Sequence, residues 1–114
     1  MKFDSSGSLV KKASTSDRFD DLIQLQKSNG KFEWGEVMAD VLGFGKDVAI
    51  SMNFVNAEDD VWITALAVAI FEVKMPDKKD YWELVVDKAR KWLKANGATE
   101  SALTSAGTIV TDAK

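Results

Sequence analysis

The run DDVWITALAVAIFEVK, Asp59 to Lys74, constrains the fold more than any other part of the chain. Between Val61 and Phe71 its only polar side chain is Thr64. A bilayer span takes about 20 mostly apolar residues. Here Asp59-Asp60 close the run on one side and Glu72 and Lys74 on the other, leaving eleven between them. That is too short to span a membrane. A helix apolar on nearly every face belongs instead at the centre of a bundle, contacted from several sides. Ala65, Ala67 and Ala69 give it a slim profile that lets neighbours approach closely. Asn56 or Glu58 can cap its start, and Pro76 ends it at about Met75.

The remaining pattern is helical as well. A first helix is expected from about Asp17 to Ser28, with Ser16 as its cap. Phe19, Leu22, Ile23 and Gln26 lie along one side, and Asn29-Gly30 stops it. Lys31 to Trp34 reads as a short extended or turn segment. Glu36 to Leu42 gives a short helix stopped by Gly43. In DVAISMNFV, residues 47 to 55, Val48, Ile50, Met52 and Phe54 also fit a short strand, and a helical turn is favoured because the neighbouring segments are helical. The last clear helix spans roughly Lys78 to Ala95. Its apolar stripe is Trp82, Val85, Val86, Ala89, Trp92 and Leu93, and Gly97 suits the position just past its end. The small, polar ATESALTSAGTIVTDAK that follows reads as a frayed turn and mobile tail. The expected fold is all-α, a bundle of four to five helices around a central helix at about 59–75. The expected domains are a flexible leader at 1–15, a helical domain at 16–97 and a tail at 98–114.

Length and composition limit what such a bundle can do. At 114 residues the chain is one domain, and 46% hydrophobic residues are enough for a core. The net charge of −3 gives no strong pull on nucleic acid or anionic lipid. There are no cysteines and no histidines. Thiolate nucleophiles, disulfides, Cys-based zinc sites and Ser-His or Cys-His arrangements are therefore impossible within this chain. A carboxylate enzyme would need two acids whose surroundings push their pKa values apart. Glu72 and Glu83 are the best-embedded acids, and nothing in the sequence gives either an apolar setting. The expectation is no enzyme, no cofactor and no metal.

The motifs that carry chemistry elsewhere have simpler explanations here. GFGK, Gly43 to Lys46, lacks the spacing of a phosphate-binding loop and is followed by Asp47. The acidic groups Asp17/Asp20/Asp21, Glu58/Asp59/Asp60 and Asp77/Asp80 all fall at expected helix starts, where the helix dipole favours negative charge. None has the spacing of a calcium loop. Lys88, Arg90, Lys91 and Lys94 spread around their helix and read as a solvated face that can also meet the acidic face of a protein partner.

The aromatic load is heavy: four Trp, one Tyr and six Phe. Most belong to the core. Aromatics left outside mark a docking patch, and the irregular middle is the place for them. The expected partner-binding residues are Phe32, Trp34, Phe44, Lys91 and Lys94.

LIQLQKSNGKFEW, then VLG, then WITALAVAIFEVK, then YWELVVDKARKWL occur in an order that resembles a known module. It is the C-terminal α-helical module of proteins carrying a vault-protein/inter-α-trypsin (VIT) domain and a von Willebrand factor A domain. The resemblance covers roughly residues 19 to 95 and rests on core-type residues such as Leu22, Gly30, Phe32, Trp62, Thr64, Trp82 and Trp92. Where such modules carry Trp, this chain has Phe32, with Trp34 two residues later. Vault poly(ADP-ribose) polymerase ends in a related region that binds the major vault protein. The resemblance thus implies a non-catalytic module that docks its parent or a cargo onto a larger assembly such as the vault particle. MKFDSSGSLVKKASTSD at the N-terminus lacks the apolar run of a signal peptide, so the expected setting is cytoplasmic. The alternative is a small-molecule or lipid-binding bundle with a cavity between the central helix and the Trp-rich helix.

Overall fold

Eleven successive buried side chains, Val61 to Phe71, run through the middle of the molecule. They belong to one helix, and the others are arranged around it. The computed structural model of the protein describes residues 15–112, with side chains from Phe19 onward. The leader expected at 1–15 lies almost wholly outside the described residues. Those residues form six α-helices: α1 (Thr15–Ile23), α2 (Glu36–Leu42), α3 (Lys46–Ser51), α4 (Asp59–Lys74), α5 (Lys79–Ala95) and α6 (Glu100–Asp112). A 3-10 turn, Pro76–Lys78, joins α4 to α5. The fold is the expected all-α bundle around a central apolar helix, with more helices than the four to five expected. Among the described residues no helix is long and apolar enough to cross a membrane.

α4 starts at Glu58, which has extended backbone angles and makes no side-chain cap. Asp59 and Asp60 fill its first turn, where they favour the helix dipole. Pro76 follows its end and opens the 3-10 turn at a position where a missing N–H costs nothing. Its polar atoms are matched individually. The Trp62 indole Nε1 donates to the Ala49 carbonyl at 2.7 Å, pinning α3 against α4. The Thr64 Oγ1 accepts from the Phe32 N–H at 3.1 Å, and the hydroxyl faces the Phe32 carbonyl at 3.4 Å. The one buried polar side chain of the run thus clamps the backbone of the 26–32 turn to the core.

That turn corrects the expected first helix. α1 ends at Ile23 rather than Ser28, and Ser16 lies inside it rather than before it. Gln26 leaves the helix to form an isolated antiparallel bridge with Phe32. Its side-chain amide then donates to the Gly30 carbonyl at 3.2 Å and to the Val85 carbonyl of α5 at 2.9 Å. These bonds reward the turn more than another helical turn would, because they satisfy two carbonyls at a packed junction. Gly30 is required there. Its φ of 101° suits glycine, and a Cβ on it would lie 2.6 Å from the Lys88 carbonyl oxygen.

The described part of the tail expected at 98–114 is the larger correction. Instead of a mobile tail, Glu100–Asp112 form α6, which packs on α4 more extensively than any other helix does. Ala102, Ala106 and Val110, four residues apart on one face, are buried. The physical reason is shape. Small residues on α6 and the alanines of α4 let the two backbones approach closely.

α5 behaves as its sequence predicts. Trp82, Val86, Ala89 and Leu93 form its buried stripe, with Val85 and Trp92 half-buried beside it. The Trp82 Nε1 donates to the Met75 carbonyl at 2.6 Å, fastening the α4–α5 corner. Phe19 and Phe32 each meet Phe71 edge-on at 5.9 Å, and Phe71 also lies against Trp82. This aromatic group joins α1, the turn, α4 and α5 into one core.

Candidate docking surface

The expected partner-binding residues fall in different places. Phe32 is 1% exposed and its backbone is held by Thr64, so its side chain belongs to the core although the residue borders the hollow described next. Its neighbours Lys31 and Glu33 point outward, as alternation in an extended segment requires. Trp34 is half-buried and, with Lys31, Glu33, Lys46, Asp60 and Ile63, lines a hollow of about 310 Å³. Lys31 and Asp60 pair across it at 3.4 Å. Phe44 is half-buried at the glycine turn before α3. Lys91 and Lys94 stand exposed on α5, Lys91 paired with Asp87 of the same helix at 3.2 Å.

The irregular middle does expose an aromatic, although a different one. Phe54 is 82% exposed, and Val48 on α3 is 45% exposed. Phe54 sits in a fastened turn. The Asn53 side-chain amide donates to the Ala57 carbonyl at 2.6 Å, and the Ala57 N–H donates back to Asn53 Oδ1 at 3.2 Å. Asn56, within that turn, takes a left-handed φ of 58° that asparagine tolerates better than most residues. The turn is positioned in addition by α3, itself held through Ala49 and Trp62. A hollow lined by Val55–Glu58 and Asn96–Thr99 places the end of α5 beside it. An apolar ring held out by such a turn loses little conformational freedom when a partner covers it.

α5 exposes a second apolar pair, Tyr81 at 71% and Leu84 at 82%. Leu84 is among the core-type residues that carry the family resemblance and Tyr81 belongs to the aromatic load expected mostly in the core, yet both stand in water. The signal was available: Leu84 lies off the buried stripe of α5 by helical geometry, and a leucine there has no core to enter. Tyr81 keeps one edge contact, 6.2 Å to Phe19.

A groove of about 370 Å³ runs between the end of α4 and α5. Pro76, Trp82 and Val86 supply its apolar lining; Glu72, Lys79, Glu83, Asp87 and Arg90 supply the charged groups. Glu72 and Glu83, the acids considered for catalysis, are both exposed, and Glu72 is hydrogen-bonded to Arg90. Among the described residues no group of three or more His, Cys, Asp or Glu is arranged to hold a metal ion.

The fold and surface together define a small all-α module that displays apolar side chains on ordered elements. In sequence the chain is similar to segments of von Willebrand factor A domain-containing proteins. It is 37% identical over 73 residues to von Willebrand factor A domain-containing protein 5A of Mus musculus, covering 63% of this chain and 9% of that protein. Two von Willebrand factor A domain-containing proteins of Dictyostelium discoideum are each 31% identical to it. One alignment runs over 81 residues, 71% of this chain and 9% of the relative. The other runs over 110 residues, 96% of this chain and 11% of the relative. The chain spans about a tenth of the length of the curated relatives it matches. No family model matches it, and no solved structure does.

Proposed function

We propose that this chain is a non-catalytic, cytoplasmic protein-interaction module that docks the protein carrying it, or a cargo, onto a larger assembly. Phe54 carries this reading: a large apolar side chain is held in solvent by a turn that Asn53 closes on both sides. Val48 on α3, the helix that leads into this turn, is also exposed, and interfaces favour aromatic anchors such as Phe54. The match to a tenth of much longer proteins supports a part that serves a larger chain. The resemblance to the vault-binding region of vault poly(ADP-ribose) polymerase makes the major vault protein the first target to test.

The test immobilises the chain and measures retention of purified vault particles. The wild type should be retained. Phe54→Ser should lose at least about tenfold in affinity, the scale of one interface anchor, with an unchanged melting temperature. Binding that survives Phe54→Ser and Trp34→Ala together would refute this surface. Failure of the wild type to bind would remove the vault as its target.

The groove between α4 and α5 favours a second reading, an amphipathic small molecule lying on Trp82 and Val86 between charged groups. Titration with fatty acids and aromatic carboxylates, followed by NMR, would have to shift the Trp82 indole and Val86 methyl signals together. Unmoved signals would dismiss it.

A further inference from the structure

The dipeptide Asn-Gly occurs twice, at Asn29-Gly30 and Asn96-Gly97, and the fold treats the two pairs differently. A glycine after asparagine has no side chain to keep its nitrogen away from the asparagine amide carbon. At the first pair that nitrogen is locked. Gly30 is buried against the Lys88 carbonyl, and its N–H donates to the Lys27 carbonyl at 2.9 Å. The Asn29 Oδ1 in turn accepts from the Lys31 N–H at 3.0 Å. At the second pair both residues are exposed, and a Cβ on Gly97 would meet nothing within 4 Å. The Gly97 N–H makes a long bond, 3.3 Å to the Lys94 carbonyl. The Asn96 side-chain amide makes an exposed one, 2.8 Å to the Trp92 carbonyl. Both bonds belong to the end of α5, and helix ends fray.

We propose that Asn96 is a site of spontaneous covalent modification, deamidation through a cyclic imide with Gly97, and that the fold spares Asn29. The Gly97 nitrogen, its proton taken by hydroxide, attacks the Asn96 amide carbon. A C–N bond forms there, and the side-chain nitrogen leaves as ammonia. Water then opens the ring at either carbonyl, giving aspartate or isoaspartate, with no oxidant or cofactor required. Either product acts on the α5–α6 corner. The bond to Trp92 is lost, because a carboxylate has no proton to donate. A negative charge appears at the C-terminal end of α5, where the helix dipole opposes it. It also enters the hollow that Asn96 shares with Glu58. Isoaspartate, in addition, lengthens the backbone between Asn96 and Gly97 by a carbon atom. That displaces the next amides, among them the Ala98 N–H, which donates to the Leu93 carbonyl at 2.9 Å and sets the path toward α6. The corner is therefore a slow, one-way release for the helix that covers α4 most extensively.

The test ages the chain in mildly alkaline buffer, folded and unfolded by urea, and follows the peptides containing Asn29 and Asn96 by mass spectrometry. In the folded protein Asn96 should convert at least about tenfold faster than Asn29. In urea the two should convert at similar rates. Converted protein, separated by its added charge, should show faster amide exchange over Glu100–Asp112 than unconverted protein. An Asn96→Ser variant has no amide to lose there, and ageing should leave its α6 exchange unchanged. Folded protein in which Asn96 stays intact, or in which Asn29 converts as fast, would overturn the site. A rate difference that persists in urea would overturn the role of the fold. Converted protein with unchanged α6 exchange, or an aged Asn96→Ser variant that loses protection equally, would overturn the effect on the corner.

Discussion

α4 and α5 are nearly equal in length, 16 and 17 residues, and both are rich in large side chains. They differ in where those side chains go. α4 buries everything from Val61 to Phe71, because α3, α5, α6 and the 26–32 turn each cover part of it. α5 buries one stripe and leaves Tyr81 and Leu84 in water. The same residue types thus have opposite consequences. On α4 an apolar side chain holds the fold, and on α5 the outward ones are available to partners. Composition alone does not separate the two roles; the spacing of residues and the number of neighbouring elements do.

Substitutions on the two helices can break or sharpen that contrast. Trp62→Ala removes a fully buried indole and its bond to Ala49, and should cost about 3–5 kcal/mol in urea unfolding. A loss that large is a substantial part of the roughly 5–15 kcal/mol that holds a typical domain. A change smaller than that of a surface variant would mean α4 is not the axle. Ala106→Leu, at the close approach of α6 to α4, should overpack the contact and cost about 1–3 kcal/mol. If it stabilises the protein, the two helices are farther apart than described. Thr64→Val keeps the shape but leaves the Phe32 amide unpaired, for about 1–2 kcal/mol. Amide exchange at Phe32 should rise with it, and unchanged exchange would show the clamp to be unimportant. Leu84→Ser on α5 should fall within about 0.5 kcal/mol of the wild type, because its side chain touches little. A large loss from this substitution would erase the distinction between the helices.

Much of this arrangement is legible in the sequence, and the failures have physical causes. The α4 run is self-evident because eleven apolar-dominated residues bounded by acids, Glu72 and Pro76 fit only a core helix of that length. The α2 and α5 bounds follow from Gly43 and Gly97, both of which take positive φ. α6 escapes because its face is built from Ala102, Ala106 and Val110, and small residues give a weak apolar signal. Their value appears only against the alanines of α4, which no local pattern reveals. Gln26 looks like one more helical position, yet its amide reaches Val85, 59 residues away. Phe32, expected among the partner-binding aromatics of the irregular middle, is buried instead, its backbone held by Thr64 of α4, a contact 32 residues away in sequence. For the candidate site, the sequence reading located the irregular middle but chose Trp34 and Phe44. Phe54 is distinguished from them by the turn that Asn53 closes, a contact between residues that propensity does not specify.

α4 is covered on all sides from Val61 to Phe71. That leaves Val73 near its end, Val48 of α3, the Phe54 turn and the outer face of α5 as the large apolar residues exposed among the described residues. α6 decides this, since it provides the most extensive cover. Native-state hydrogen exchange over Ala102 to Val110 tests it directly. Protection matching that of Val61 to Phe71, lost only on global unfolding, is the predicted result. Amides of α6 that exchange as fast as an unstructured tail would contradict the account, and would leave the face of α4 beneath them as the exposed apolar surface instead.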